Sequence, residues 1–242
     1  MNNDDKEISI SKLREQCIYC IDTVSENPVY KWKIYQCIYC EIELEKNLYT
    51  LINGKWYKID IDFLSLLNER IQEIPVSNIS LPDYDVKSEE EYNKKVVENN
   101  KEFVLMDKKN ISYGSGGSRI ELCDIYTKDK KLIHVKRYDG SSVLSHLFSQ
   151  GLVSTQLILS DGEFRSLVNK KLPKTHKLPA KNKKPKASEF EIIYVIASND
   201  SKTTALDLPL FSKINLRSCY NRLQLMGVSV SIRIVPIVKV RS

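Results

Sequence analysis

Nothing in the 242-residue sequence runs apolar for the roughly 18 residues that a membrane-spanning helix needs, so no span is expected. Glycine and proline are scarce, with 8 of each, which excludes collagen-like and low-complexity chains. A content of 42% hydrophobic residues excludes a disordered chain and is enough for a sizeable core. Six cysteines are too few for a disulfide scaffold and read as reduced thiols or metal ligands. No Gly-x-Ser-x-Gly nucleophile elbow is present, and Ser142, Ser145 and His146 do not make a hydrolase triad. The glycine loop at 114–117 is followed by no Gly-Lys-Ser/Thr and precedes a strand, so it is neither a Walker A loop nor a dinucleotide fingerprint. Met1 to Lys6 is polar and acidic, unlike a secretory signal or an Arg-rich transit peptide, and a soluble cytoplasmic protein is expected.

What the chain does have is an uneven charge. The formal net charge is +6, yet residues 170–186, KKLPKTHKLPAKNKKPK, hold eight lysines and no acid. Without them, 29 basic residues face 31 acidic ones. Three prolines and no apolar periodicity make this segment a linker rather than a helix. It is either a solvated linker or a flexible arm whose Lys170, Lys171, Lys174, Lys181, Lys183 and Lys184 contact phosphates.

Two regions differ in pattern. Residues 1–75 read as a small β-rich subdomain. KIYQCIYCEIEL alternates like a strand, NLYTLI follows, and Asn53-Gly54 turns the chain into KWYKIDID, giving an antiparallel meander over 33–61. A helix over Phe63–Ile74 ends before Pro75. Residues 76–242 read as an α/β domain that carries the Lys-rich linker. Ser88 caps a helix with three Glu in its first turn. FVLMD, RIELCDIYT and KLIHVKRY are strands, the last two joined by a turn at Lys128–Lys131. A helix follows Asp139-Gly140-Ser141-Ser142 with Gly151 inside it, then a second helical piece over 161–172. FEIIYVIAS is a strand buried on both faces, PLFSKINLRSCYNRLQLMG a helix with Gly227 at its C-cap, and VSVSIRIVPIVKV a closing strand. The order α-β-β-β-α-β-α-β implies a mixed central sheet with flanking helices.

Two constellations could carry chemistry. Cys17-x2-Cys20 and Cys37-x2-Cys40 have the spacing of a four-thiolate zinc site. The strand context argues against Zn2+, because Cys37 and Cys40 would point to opposite faces and fill core instead. The second constellation is Asp124 on one strand with His134 and Lys136 on the next. Alternation puts His134 and Lys136 on one face, and the hairpin brings Asp124 beside them. Carboxylates here would bind Mg2+ or Mn2+, and the lysine would stabilise charge on a phosphate. The alternative is a strand-end Asp124 and a solvated Lys136.

GGSRIELCDIYTKDKKLIHVKR resembles the glycine-rich entry, Asp strand, turn and acid-x-Lys strand of the PD-(D/E)xK nuclease superfamily, over roughly residues 88–200. The resemblance implies a restriction-endonuclease-like α-β-β-β-α-β core, with Asp124, His134 and Lys136 in catalytic positions. His134 stands where the second acid belongs, so the site prefers Mn2+, another acid has moved in, or the site is silent; Glu91 is assigned as a metal ligand with Asp124 and His134, and Glu90 and Glu98 are alternatives. Arg137, Ser145, His146 and Gln150 would contact nucleic acid, and Tyr113, Tyr126 and Tyr138 flank the site. LYTLINGKWYKIDIDF, SLPDY, LIHVKRYDGSSVLSHLFSQGLVS and LDLPLFSKINLR are similar to a sporadically distributed, uncharacterised bacterial family. This chain would correspond to the C-terminal half of its longer members, as a short member or a fragment. That family's patchy distribution implies a mobile-element or phage-defence setting. The expectation is a metal-dependent nuclease, or a catalytically silent nucleic-acid-binding or adaptor module on the same fold. Either could work as a homodimer or with a partner subunit.

Overall fold

The computed structural model describes residues 8–22, 25–113, 118–138, 141–200 and 202–238. Contacts divide the chain into two units, 1–66 and 67–242. In the first, α1 (Ile10–Glu15) leads into an antiparallel hairpin of β1 (Cys17–Ile21) and β2 (Pro28–Lys33). A separate antiparallel sheet has the order β3 (Cys40–Leu44), β4 (Asn47–Ile52), β5 (Lys55–Lys58), with α2 (Ile34–Cys37) before it. Asn53 and Gly54 have φ of 55° and 75°, and Glu45 and Lys46 have 51° and 63°. Two successive positive φ values are what a two-residue type I′ hairpin demands. The strand expected through KIYQCIYC is interrupted by α2. The Lys33 N–H donates to Gln36 Oε1 at 3.1 Å, closing a helical turn where alternation suggested extension. Helix α3 (Ile61–Gln72) follows, and the division between the units falls inside it.

The second unit is built on a five-stranded sheet with the order β12-β11-β10-β9-β6. The elements are α4 (Glu89–Glu98), β6 (Phe103–Leu105), β7 (Ile111–Tyr113), β8 (Ser118–Ile120), β9 (Ile125–Thr127), β10 (Lys131–Arg137), α5 (Ser141–Ser160), α6 (Gly162–Lys171), β11 (Glu191–Ser198), α7 (Leu210–Leu225) and β12 (Ser229–Pro236). β6, β9 and β10 form an antiparallel meander, while β10, β11 and β12 are parallel. Parallel neighbours need a crossover; α5 and α6 supply one and α7 the other. β11 lies in the middle of the parallel set, and Ile192 to Ser198 are buried without a break, as its apolar run requires.

On one face, Tyr92 and Val96 of α4 pack with Ile133, Val135, Ile193 and Val195. On the other, the Tyr194 ring meets the edge of Phe148 of α5 at 5.1 Å, and its hydroxyl donates to the Phe148 carbonyl at 3.0 Å. The outer edge of β12 is partly covered by the segment around Val76 and Tyr84, which makes parallel bridges to Ile232 and Ile237. An edge so covered is protected from pairing with another chain. The end of α7 is a Schellman motif: Val228 N–H donates to Leu223 O, and Gly227, with φ 82°, donates to Gln224 O.

Two expectations change. RIELCDIYT is not one strand: β8 pairs with β7 in a separate hairpin, residues 121–124 leave the sheet, and β9 begins at Ile125. Lys170 and Lys171 close α6 and so belong to a helix, not to a linker. The glycine loop at 114–117 and the Asp139-Gly140 helix entry lie outside the described residues.

Gly151 sits inside α5 because a Cβ there would lie 2.6 Å from the Tyr194 hydroxyl oxygen and 2.8 Å from its ring. Gly151→Ala gains up to about 1 kcal/mol of helix propensity but overpacks a buried ring, which costs roughly 1–3 kcal/mol. A lowered urea midpoint is the expected result; a raised midpoint would contradict this packing.

Candidate functional site

β6, β9 and β10 all present the same end of the sheet to four acids. Asp107 follows the end of β6, Glu121 and Asp124 precede β9, and Glu89 is the first residue of α4, after its cap Ser88. Asp124 is the centre of this group. The register of β9 on β10, Ile125 opposite Ile133, is broken there: the Asp124 N–H donates to Ile133 O at 3.0 Å. The Val135 N–H is taken by Asp124 Oδ2, at 2.7 Å, instead of by a backbone carbonyl. The Asp124 carbonyl in turn accepts from the N–H groups of Met106 and Asp107, at 2.8 and 2.9 Å. Burial pushes the Asp124 carboxyl up to about 7 from its ordinary 3.8. The Val135 hydrogen bond opposes this shift, and the charges of Asp107, Glu121 and Glu89 add to it.

Lys136 ends half-exposed beside this group. Its ammonium pairs with Glu89 Oε2 at 2.8 Å, while Glu89 Oε1 accepts the Arg137 N–H at 2.9 Å. Glu89 is thus fixed at both oxygens. A pair exposed to this degree adds little stability, but it fixes the ammonium against Glu89. A cavity of about 390 Å³ opens here, lined by Ser88, Glu89, Asp107, Lys108 and Arg137 among others. Glu121 reaches the group because the chain leaves the sheet at 121–124; in a regular strand it would face away from Asp124. Its Oε1 accepts the Lys108 N–H at 3.1 Å.

A second cavity, of about 290 Å³, lies between the β7–β8 hairpin and α5, and Glu121 also lines it. His146 and Gln150 meet there with Arg119, Asn110 and Ser149, over an apolar floor of Ile120 and Val153. The helical spacing of His146 and Gln150 foretold their common face; Arg119 carried no such signal. Ser145 is half-buried and does not line this cavity.

His134 is not part of the site. It is 2% exposed and lies in the core, its ring 6.1 Å from that of Tyr194. Burial lowers it to about 3 from 6.5, and its Nε2 has no hydrogen-bond partner. Glu91 is exposed and is spent on the entry to α4: its Oε2 accepts the Lys87 N–H and its own N–H donates to Ser88 Oγ. The expected set of Asp124, His134 and Glu91 is therefore not assembled. The acids that do gather are Glu89, Asp107 and Glu121. Of the flanking tyrosines, Tyr126 is buried and Tyr113 donates its hydroxyl to Asp161.

The lysines at 170–186 lie at the other end of the sheet. His176 Nε2 is 2.8 Å from Glu102 O, before β6, and the cavity they line includes Lys130, before β10. β10 spans seven residues, so roughly 20 Å of strand separates them from Lys136. Of the four N-terminal cysteines, Cys17 and Cys40 are half-buried and Cys20 and Cys37 exposed. Among the described residues, no group of three or more His, Cys, Asp or Glu is placed to hold a metal ion. No helix among them is long and apolar enough to cross a membrane.

Fold and site together define a mixed α/β protein with a buried carboxyl and a paired lysine at one end of its sheet. The chain matches, over residues 1–236, the model of a family of unknown function (DUF6119), and it belongs to that family. No curated protein and no solved structure matches it.

A carboxyl whose pKa is higher folded than unfolded holds its proton more tightly in the folded state. Asp124 therefore lowers stability increasingly as pH rises from about 4 to about 7. His134, lowered by burial, acts with the opposite sign, so the readout is a difference between variants. Asp124→Asn keeps an acceptor for Val135 and should gain on wild type, in urea midpoint, between pH 4.5 and 7.5. A gap that stays flat or closes over this range would contradict the assignment.

Proposed function

We propose that the protein is a metal-dependent nuclease that hydrolyses phosphodiester bonds, the least demanding reading of an acid cluster with one directed lysine, and that DNA is its substrate. The observation that carries the proposal is the convergence of Asp124, Glu89 and Lys136. With the β7–β8 hairpin and α6 set aside as insertions, the order of α4, β6, β9, β10, α5 and β11 supports the reading, since the PD-(D/E)xK nucleases that the sequence resembles run α-β-β-β-α-β. On this reading Glu89, Asp107 and Glu121 take over from the missing strand acid at His134.

The donors fit a hard cation. All are carboxylate oxygens, and Asp107, Glu121 and Glu89 lie near enough for their charges to act on the Asp124 carboxyl. Mg2+ asks for one or two protein carboxylates and completes its shell with water and substrate phosphate. It thus needs no group of three protein ligands. Asp124 and Asp107 would hold the cation, with Glu121 beside them. Bound there, it would polarise a phosphoryl oxygen and acidify a water. Lys136, aimed by Glu89, would stabilise the negative charge that develops on a non-bridging oxygen as water adds to phosphorus. Arg119, His146 and Gln150 would hold the flanking strand through its phosphates and sugar or base edges.

The experiment is cleavage of plasmid and single-stranded DNA and RNA with Mg2+, Mn2+ or chelator. Asp124→Asn and Lys136→Ala should each lower the rate at least about 100-fold, a common cost for an electrostatic catalytic group, with the circular dichroism spectrum unchanged. His134→Leu should leave the rate within a few-fold of wild type, since its imidazole is a core residue. Activity that survives Lys136→Ala would refute the mechanism. The core packing of His134, where the second strand acid belongs, favours a second reading, a silent binding or adaptor module; DNA binding without cleavage, indifferent to chelator, would select it.

A further inference from the structure

The basic segment is an ordered strap, and one residue orders it. The Arg165 guanidinium of α6 is 3% exposed, and its hydrogen bonds run to backbone. It donates to four carbonyls: Ile158 at 2.8 Å, Pro179 at 3.3 Å, and Lys181 and Lys183 at 3.0 Å each. Three of these belong to the strap. A buried guanidinium must have its donors satisfied, so the strap's backbone is held in one path. Asn169 adds two bonds to the backbone of Leu178, at 2.8 and 3.0 Å, and His176 reaches Glu102 O. Leu172 and Leu178 are buried beneath it.

This path creates a cavity of about 440 Å³ lined by Lys130, Lys177, Lys183, Lys184, Lys186 and Glu189. Two of its ammoniums are engaged: Lys130 with Glu189, and Lys177 with the carbonyls of Asn169 and Leu172. Lys183, Lys184 and Lys186 are exposed, and the charge of Lys186 also acts on Glu189. Like charges held together on a fixed backbone are costly unless an anion lies among them.

We infer that this groove is a docking site for the phosphate backbone of nucleic acid, separate from the carboxylate site and working without metal. The groove presents five lysines around Leu178 and Pro179, with Glu189 as the acid in its lining and that acid paired with Lys130. A phosphodiester chain needs only the charge. The inference shares the nucleic acid of the proposed function but not its chemistry, so docking can hold where cleavage fails.

The test is fluorescence anisotropy of a labelled 20-base-pair duplex in chelator, titrated with NaCl. The variant is Lys183→Gln/Lys184→Gln/Lys186→Gln, all at surface positions. Each phosphate contact contributes about 0.9 to the slope of log affinity against log salt. The triple variant should therefore flatten the slope by roughly 2 to 3 and weaken binding at least 10-fold at low salt. The charge-matched variant Lys46→Gln/Lys55→Gln/Lys58→Gln, at exposed lysines of the first unit, should leave both quantities as in wild type. An unchanged slope in the strap variant, or equal loss in this control, would overturn the inference. Retention of poly-glutamate with no affinity for the duplex would overturn it in favour of an acidic protein partner.

Discussion

A carboxylate stands in for a backbone carbonyl at the end of the β9–β10 ladder, and the site depends on that exchange. By accepting the Val135 N–H, Asp124 closes the ladder while its own backbone leaves the sheet. The departure frees residues 121–124 to turn, which brings Glu121 inward, and it lets the Asp124 carbonyl receive both amides at the end of β6. Burial then makes the charged form of Asp124 expensive. A cation, or a proton, is what such a position calls for.

The same sheet separates two kinds of charge. Its end at Asp107, Asp124 and Lys136 gathers acids around one directed ammonium, and its end at Glu102 and Lys130 carries the lysine strap. Both arrangements rest on groups satisfied by backbone atoms. Glu89 is fixed by the Arg137 N–H, and Arg165 is fixed by four carbonyls. The acids are thereby kept away from the lysines of the strap.

Local signals carried much of the architecture. Asn53-Gly54 demands its turn, Ser88 caps α4 with its hydroxyl, and the unbroken apolar run of β11 reports burial on both faces. Asp124 and Lys136 were legible because hairpin spacing alone brings their strands together. The remaining acids were not. Glu121 depends on a break that alternation hides, and Glu89 is one of three consecutive glutamates whose roles only packing separates. His134 misled because strand alternation pairs it with Lys136, whereas its ring packs by Tyr194 and the Lys136 side chain reaches out to Glu89. The strap read as a linker because its order comes from Arg165, whose contacts are all tertiary.

The most direct test of the central claim is calorimetric titration of Mn2+ into the protein at pH 6.5, in two buffers of different ionisation enthalpy. The account predicts binding to wild type with release of protons, since burial raises the Asp124 carboxyl to about 7 and it must ionise to bind. Asp124→Asn should release none and bind far more weakly. Mn2+ binding of equal strength and equal proton release in both proteins, or no binding to wild type, would contradict it.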